Sequence, residues 1–224
     1  MPSLFERLFG RKSRIQPDHD RIWKTQKLKL NGIMAHAAWL DRHATRVVMV
    51  THFLDTFRTL EALFHSRALP YTPLTTSGNG SQLGDLKNYR PGHVLLALSD
   101  ILPDIPKERA ERSPKCGFDI CILVAEHYPV PAGDKAIEEF AEKLPCTVRL
   151  CYHEALDSAL LTRFGGGQVG NALSLLNVPD TEAITHASID RAIRQAQKKA
   201  AKQIKTNHAA DSADQWFRNN TPRK

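Results

Sequence analysis

Four cysteines form two pairs of equal spacing, Cys116 with Cys121 and Cys146 with Cys151. Thiolates favour zinc, but this spacing is wider than a zinc knuckle. Cys121 and Cys151 also fall inside apolar strand-like runs, where thiols are core residues, so no metal site is predicted. Glu126 and His127, beside Asp100, could act as acid and base if brought to the C-terminal edge of a parallel sheet, the usual ligand position in such sheets. A phosphate cradle of the form G-x-x-x-x-G-K-[ST] is absent from the sequence. The triplet Gly165-Gly166-Gly167 does not replace it, because no lysine follows and no strand precedes; it reads as a helix terminator. The sequence therefore predicts no catalytic residue and no cofactor, while leaving weak ATP or ADP binding open.

Charge is the second chemical signal. The net charge of +7 divides into +5 over residues 1–30, −4 over 31–182 and +6 over 183–224. At the front, Leu4, Phe5, Leu8 and Phe9 share one side of a helical projection, with Arg7, Arg11, Lys12 and Arg14 around and after them. Near the end, Ile189, Ile193, Ala196, Ala200 and Ile204 repeat at helical intervals, and Arg191, Arg194, Lys198, Lys199, Lys202 and Lys205 supply a basic face. These fourteen leading and trailing residues, Leu4 to Arg14 and Arg191 to Lys205, are the candidate membrane- or partner-binding set. The plainer alternative for the trailing helix is docking along the domain with its lysines in water. No apolar run reaches membrane-spanning length and the first residues lack a signal-peptide pattern, which predicts a cytoplasmic protein able to sit peripherally on the inner face of the membrane.

The elements that must position these groups follow from periodicity. A helix is expected from Asp20 to about His43, with Asp18 or Asp20 as N-cap and Ile22, Leu30, Ile33 and Ala37 facing the core. Arg46–Thr51 is a β-branched run without alternation, as in a strand buried on both faces. Helices follow at about Leu54–His65 and Asp134–Lys143, and strands at Tyr71–Leu74, His93–Leu98, Phe118–Ala125 and Thr147–Tyr152. From Glu154 onward only helices are expected, at Ala155–Phe164, Gln168–Leu176 and Ser188–Lys205. Alternating strands and helices imply right-handed crossovers and an open parallel sheet covered on both faces. The predicted layout is a basic amphipathic segment over 1–19, an α/β domain over 20–165, a helical extension over 166–206 and a polar tail over 207–224, mobile apart from Trp216 and Phe217.

Several segments resemble the SecA preprotein-translocase family. Glu182-Ala183-Ile184-Thr185-His186, followed by Ile189, Ala192-Ile193 and Ala196-Gln197-Lys198, is similar to an E-A-I-E-H turn leading into a helix reading A-I-x-x-A-Q-x-K. Leu160-Leu161-Thr162-Arg163-Phe164-Gly165 and Val169 resemble the exit from the second nucleotide-binding domain of that family. Ile22-Trp23-Lys24-Thr25, with Lys29 and Ile33, resembles the helix beginning I-Y-K-T-E, and Val48-Met49-Val50-Thr51 stands where the family has a V-L-V-G-T-T strand. Leu4 to Arg14 is similar to the family's extreme N-terminus, a segment associated there with lipid and channel contacts.

The resemblance implies a RecA-like parallel α/β fold of the helicase C-terminal type, with the start of a helical scaffold as a C-terminal extension. It also implies lost chemistry. Where the family carries G-R-G-T-D-I, this chain reads Leu96-Ala97-Leu98-Ser99-Asp100-Ile101. Where the family has E-R-H and an arginine-finger motif, it reads Glu126-His127-Tyr128 and then no arginine from Pro129 to Thr147. Without those cations the transition-state charge of phosphoryl transfer goes unneutralised, and Glu126 and His127 read as relics. The leading expectation is a non-catalytic, SecA-like accessory module for a Sec-type channel or an anionic membrane surface. Two alternatives stand behind it: one half of a split ATPase whose P-loop lies on another chain, and a helicase-like nucleic-acid binder. The last is weakened by the lack of aromatic residues within the basic run.

Overall fold

The computed structural model describes residues 15–43, 45–74, 92–103, 105, 119–144, 146–165, 179 and 181–222. Its centre is a seven-stranded, wholly parallel sheet. The strands are β1 (Ile15–Pro17), β2 (Arg21–Trp23), β3 (Arg46–Thr51), β4 (Tyr71–Leu74), β5 (Val94–Leu98), β6 (Asp119–Val124) and β7 (Thr147–Ala155). Their order across the sheet is β1-β7-β6-β3-β5-β4, with β2 also paired to β7. Alternate residues of β3 serve opposite faces, so its β-branched run needs apolar cover on both sides. Val48 and Val50 join one cluster with Ile137, Phe140 and Ala141 of helix α3 (Pro131–Lys143). Val47 and Met49 join a second cluster with α1 (Gln26–Arg42) and α2 (Leu54–Ser66). Phe57, Leu60 and Phe64 of α2 are buried there, each contributing about 1.5–3 kcal/mol. The parallel sheet with flanking helices read from the sequence is the architecture the chain adopts.

Beyond β7 the chain forms α4 (Ala159–Phe164), α5 (Ala187–Gln203) and α6 (Ala213–Asn220). These close a third cluster around Ile22, Phe53, Ile184 and Trp216.

Four expectations change. The helix expected from Asp20 begins at Gln26, and its N-cap is Thr25, whose Oγ1 accepts from the Leu28 amide at 3.3 Å. Ile22 and Trp23 belong to β2 instead, because pairing Arg21 with His153 and Ile22 with Glu154 extends the sheet edge. That pairing also explains the nine-residue β7, which takes β1 along its first half and β2 along its second, so the strand runs through Ala155 and α4 starts later than expected. The tail, expected to be polar and mobile apart from Trp216 and Phe217, carries the helix α6, in which those two residues are fully buried. The expected helix at Gln168–Leu176 lies outside the described residues.

Candidate functional site

The C-terminal ends of β3, β6 and β7 stand side by side, and the residues at those ends make one buried polar network. Glu126 and His127, just past β6, lie in it, but Asp100 does not; it is exposed on a 3-10 turn over Ser99–Ile101. The carboxylate at the centre is Asp134, in the first turn of α3. Its Oδ1 accepts from His52 Nε2 at 3.0 Å and from the Tyr128 amide at 2.8 Å. Its Oδ2 accepts from His127 Nδ1 and from Gln197 Nε2, both at 2.6 Å. Gly133 allows this approach, since a Cβ there would run into the Tyr128 ring.

Because His52 Nε2 faces a carboxylate, it carries the proton, and Nδ1 accepts from the Ser99 hydroxyl at 3.0 Å. His127 stacks on Tyr152 with centroids 4.4 Å apart, and its Nε2 lies 3.3 Å from Asp20 Oδ2 in an ion pair without hydrogen-bond alignment. Burial alone would lower the His127 pKa, but Asp134 and Asp20 outweigh it and hold the imidazole well above its ordinary value. Burial likewise opposes ionisation of Asp134, but His127 and then His52 hold that carboxyl below its usual range.

Two further carboxylates are tied to backbone. Glu126 Oε1 accepts from the His52 and Phe53 amides at 2.7 and 3.3 Å, at the entry to α2. Glu154 accepts from the His127 and Ala155 amides at 3.2 and 2.8 Å, and its burial raises its pKa. Carboxylates engaged by the chain's own donors occupy the place where a phosphate-binding sheet would present cations.

The cysteines and histidines on the α1 face raise a metal question. His36, Cys151 and His153 bring ligand atoms within 4.8 Å of one another. Trp23 Nε1–H donates to His153 Nδ1 at 3.1 Å, which places the His153 proton on Nε2, and that proton is donated to His36 Nδ1 at 3.1 Å. Metal binding at Nε2 would put two N–H groups face to face at Trp23, the reverse of the acceptor that a ligating histidine needs behind it. Trp23, His153 and His36 thus make a hydrogen-bond relay, the Cys151 thiol is directed at the His19 and Tyr152 carbonyls, and the set does not fit a metal. Burial pushes the Cys121 and Cys151 thiols up to about 11 and about 12, as expected for core residues. Cys146 packs on the opposite face of the sheet, and Cys116 lies outside the described residues.

Of the predicted binding residues, Leu4, Phe5, Arg7, Leu8, Phe9, Arg11, Lys12 and Arg14 lie outside the described residues. Arg191, Arg194, Lys198, Lys199 and Lys202 are exposed on α5, and Lys205 is exposed just past its end. Arg191, Arg194, Lys198 and Lys202 follow one another at intervals of three, four and four, so they form a single stripe. The inward face carries Ile189, Ile193, Ala196 and Ala200 together with Gln197, which reaches the buried network. Among the described residues, no helix is long and apolar enough to cross a membrane.

The sequence is similar to a protein translocase subunit SecA from Chlorobium phaeovibrioides (strain DSM 265 / 1930), 24% identical over 187 residues. The match takes in 82% of this chain and 18% of that protein. No protein-family model matches the chain. Among solved structures, the C-terminal part of the Fun30 ATPase domain aligns with 78% of this chain and 54% of its own at 12% identity, with a TM-score of 0.43. The Pyrococcus furiosus Hef helicase domain aligns with 58% of this chain and 25% of its own at 13% identity, with a TM-score of 0.38.

The edge rule that pointed to Glu126 and His127 also covers His52 and Glu154, each at or just past a strand end. Asp20, Asp134 and Gln197 carried no such signal.

Proposed function

We propose that this chain is a non-catalytic, SecA-like accessory module that docks on a protein partner of the Sec type or on an anionic membrane surface through its basic α5 face. The observation that carries this reading is the division of α5. One side is fixed to the domain through Ile189, Ile193, Ala196 and Gln197, while the exposed positions of the helix hold five cations and no carboxylate. A stripe of charge on a rigid support attracts an anionic surface over roughly a Debye length, about 8–10 Å at physiological salt. The network at the sheet edge supports the non-catalytic half of the reading, since it is rich in carboxylates and would repel a triphosphate.

The test compares the full chain, the chain without residues 1–14, and a variant carrying Arg191→Ala, Arg194→Ala, Lys198→Ala and Lys202→Ala. Each is assayed in co-sedimentation with anionic vesicles and in pull-down with a Sec-type channel. Binding by the full chain that falls steeply in the quadruple variant supports the proposal; equal binding, or none by any protein, refutes it. A second reading, half of a split ATPase, draws on the similarity to SecA. It requires a P-loop-bearing chain that co-purifies and hydrolyses ATP faster when this chain is present.

A further inference from the structure

His52 joins two groups that the sheet edge brings in from different elements. Its Nε2–H donates to Asp134 Oδ1 at 3.0 Å, so Nδ1 holds the free lone pair, and that lone pair faces the Ser99 hydroxyl at 3.0 Å. Ser99 follows β5, His52 follows β3 and Asp134 lies in the first turn of α3, with His52 separated from its two partners by 47 and 82 positions. Only the fold unites them. Hydroxyl, imidazole and carboxylate in this order turn a serine into a nucleophile, because a base faces its proton and an acid partner orients the base. In most such relays the carboxylate meets Nδ1 and the serine meets Nε2. Here the ring is turned end for end, and the nitrogen facing the hydroxyl is again the unprotonated one.

The surroundings suit each role. Asp134 Oδ1 also accepts from the Tyr128 amide at 2.8 Å, which fixes the carboxylate. Although burial opposes it, His127 and then His52 hold that carboxyl below its usual range, so it stays ionised and can balance a positive charge on His52. The His52 side chain is 1% exposed, whereas Ser99 is partly exposed and begins the 3-10 turn after β5. A reactant from solvent therefore meets the relay at its serine end. Leu98 and Leu102, both half-buried against the core, flank Ser99, and the neighbouring Asp100 is exposed. Apolar flanks beside a carboxylate favour an uncharged reactant over an anionic one.

We propose that Ser99 is a covalent acyl-acceptor site, where its hydroxyl attacks a neutral, activated short-chain ester with His52 as general base and Asp134 as positioning residue. The bond from Ser99 Oγ to the carbonyl carbon forms as His52 Nδ1 takes the hydroxyl proton. The bond from that carbon to the leaving oxygen then breaks, its electron pair stays on the leaving oxygen, and the proton passes to it from Nδ1. The buried His52 ring gives water poor access to Nδ1 once Ser99 is esterified, so the acyl group remains. One such event per chain is a modification, not turnover, and it uses none of the α5 cations proposed for docking.

The test incubates the full chain with p-nitrophenyl acetate and follows nitrophenolate release, the intact mass and the peptide map. Expected is a burst of one equivalent and a single acetyl group on Ser99, formed at a rate that rises with pH as one group loses its proton. Ser99→Ala, at a partly exposed position, should abolish the burst and the acetyl group together. His52→Gln should slow acetylation by at least about a hundredfold and remove its pH dependence. Acetyl phosphate, an anionic donor, should react more slowly than the neutral ester. Should His52→Gln fail to fold, Ser99→Ala and the pH profile of the parent decide. The proposal is overturned if the parent gains no acetyl group on Ser99 or if Ser99→Ala keeps the burst. It is equally overturned if folded His52→Gln keeps the parent's rate and pH profile, as a merely structural hydrogen bond would allow, or if acetyl phosphate reacts faster.

Discussion

Gln197 of α5 donates to Asp134 Oδ2 at 2.6 Å, the same oxygen that accepts from His127 Nδ1. The amide also donates to the Tyr128 carbonyl at 2.8 Å. One side chain thus ties the helix carrying the basic stripe to the buried acid at the sheet edge. If the two act as a unit, their losses will not add. Asp134→Asn should cost about 3–5 kcal/mol, because it leaves His127 with only the loosely aligned Asp20. Gln197→Ala should cost about 1–3 kcal/mol, and the double variant should fall short of the sum by at least about 0.5 kcal/mol. Urea midpoints of the four proteins measure this, and strict additivity would show that α5 is held by apolar contacts alone.

Stability should be greatest near pH 6.5. The pKa of His127 is raised in the fold, so its contribution is complete below 6.5 and is lost as pH rises through the folded value. Asp134 is depressed, so its contribution is complete above 3.8 and is lost as pH falls through the folded value. His36, lowered to about 4 chiefly by burial, and His153, lowered well below 6.5 for the same reason, work against the fold in acid. Between 6.5 and 4 the unfolded chain binds their protons and the folded one does not, so stability falls with pH there. His127→Gln should flatten the alkaline limb and His36→Gln the acid limb. A midpoint that climbs steadily from pH 5 to 9 would contradict this account.

The parts of the fold visible in the sequence are those whose stabilising contacts repeat at a local period. β3 is a continuous β-branched run, α2 shows Phe57, Leu60 and Phe64 on one face, and α5 repeats its apolar residues every three or four positions. β1 and β2 were not visible, because three residues have no period and both exist through pairing with β7, more than a hundred positions away. The site divides in the same way. Glu126 and His127 follow a strand and could be placed at the sheet edge, whereas Asp134 and Gln197 are partners 63 positions apart that only packing brings together.

The C-terminal helix gives a direct measure of such non-local stabilisation. Eight residues are too few to form a stable helix alone, so α6 must be held by what it buries. Trp216 is fully buried, donates from Nε1 to Asn207 Oδ1 at 3.0 Å and meets Phe217 and Tyr128 edge-on. Trp216→Ala should therefore cost about 3–5 kcal/mol in equilibrium unfolding. A loss below about 1 kcal/mol would mean that the segment contributes little to the fold.

Trp23 decides whether the three potential ligands on the α1 face can act together. Its indole proton occupies His153 Nδ1 and so fixes the proton on Nε2, the nitrogen that faces His36. Gly32 leaves room for the ring, since a Cβ there would collide with it, and this packing keeps the indole from turning away. The parent protein should accordingly show no rise in melting temperature with zinc and no thiolate-to-cobalt absorption with cobalt(II). Trp23→Phe removes the donor while keeping an aromatic ring. His153 Nδ1 is then free to carry the proton, and Nε2, His36 Nδ1 and the Cys151 thiolate can converge on an ion, with a proton released from the thiol. The variant should bind cobalt(II) with the absorption of a thiolate-ligated, tetrahedral site, and Cys151→Ser in the same background should remove that absorption. Equal cobalt binding by the parent would show that the Trp23 hydrogen bond does not control the tautomer.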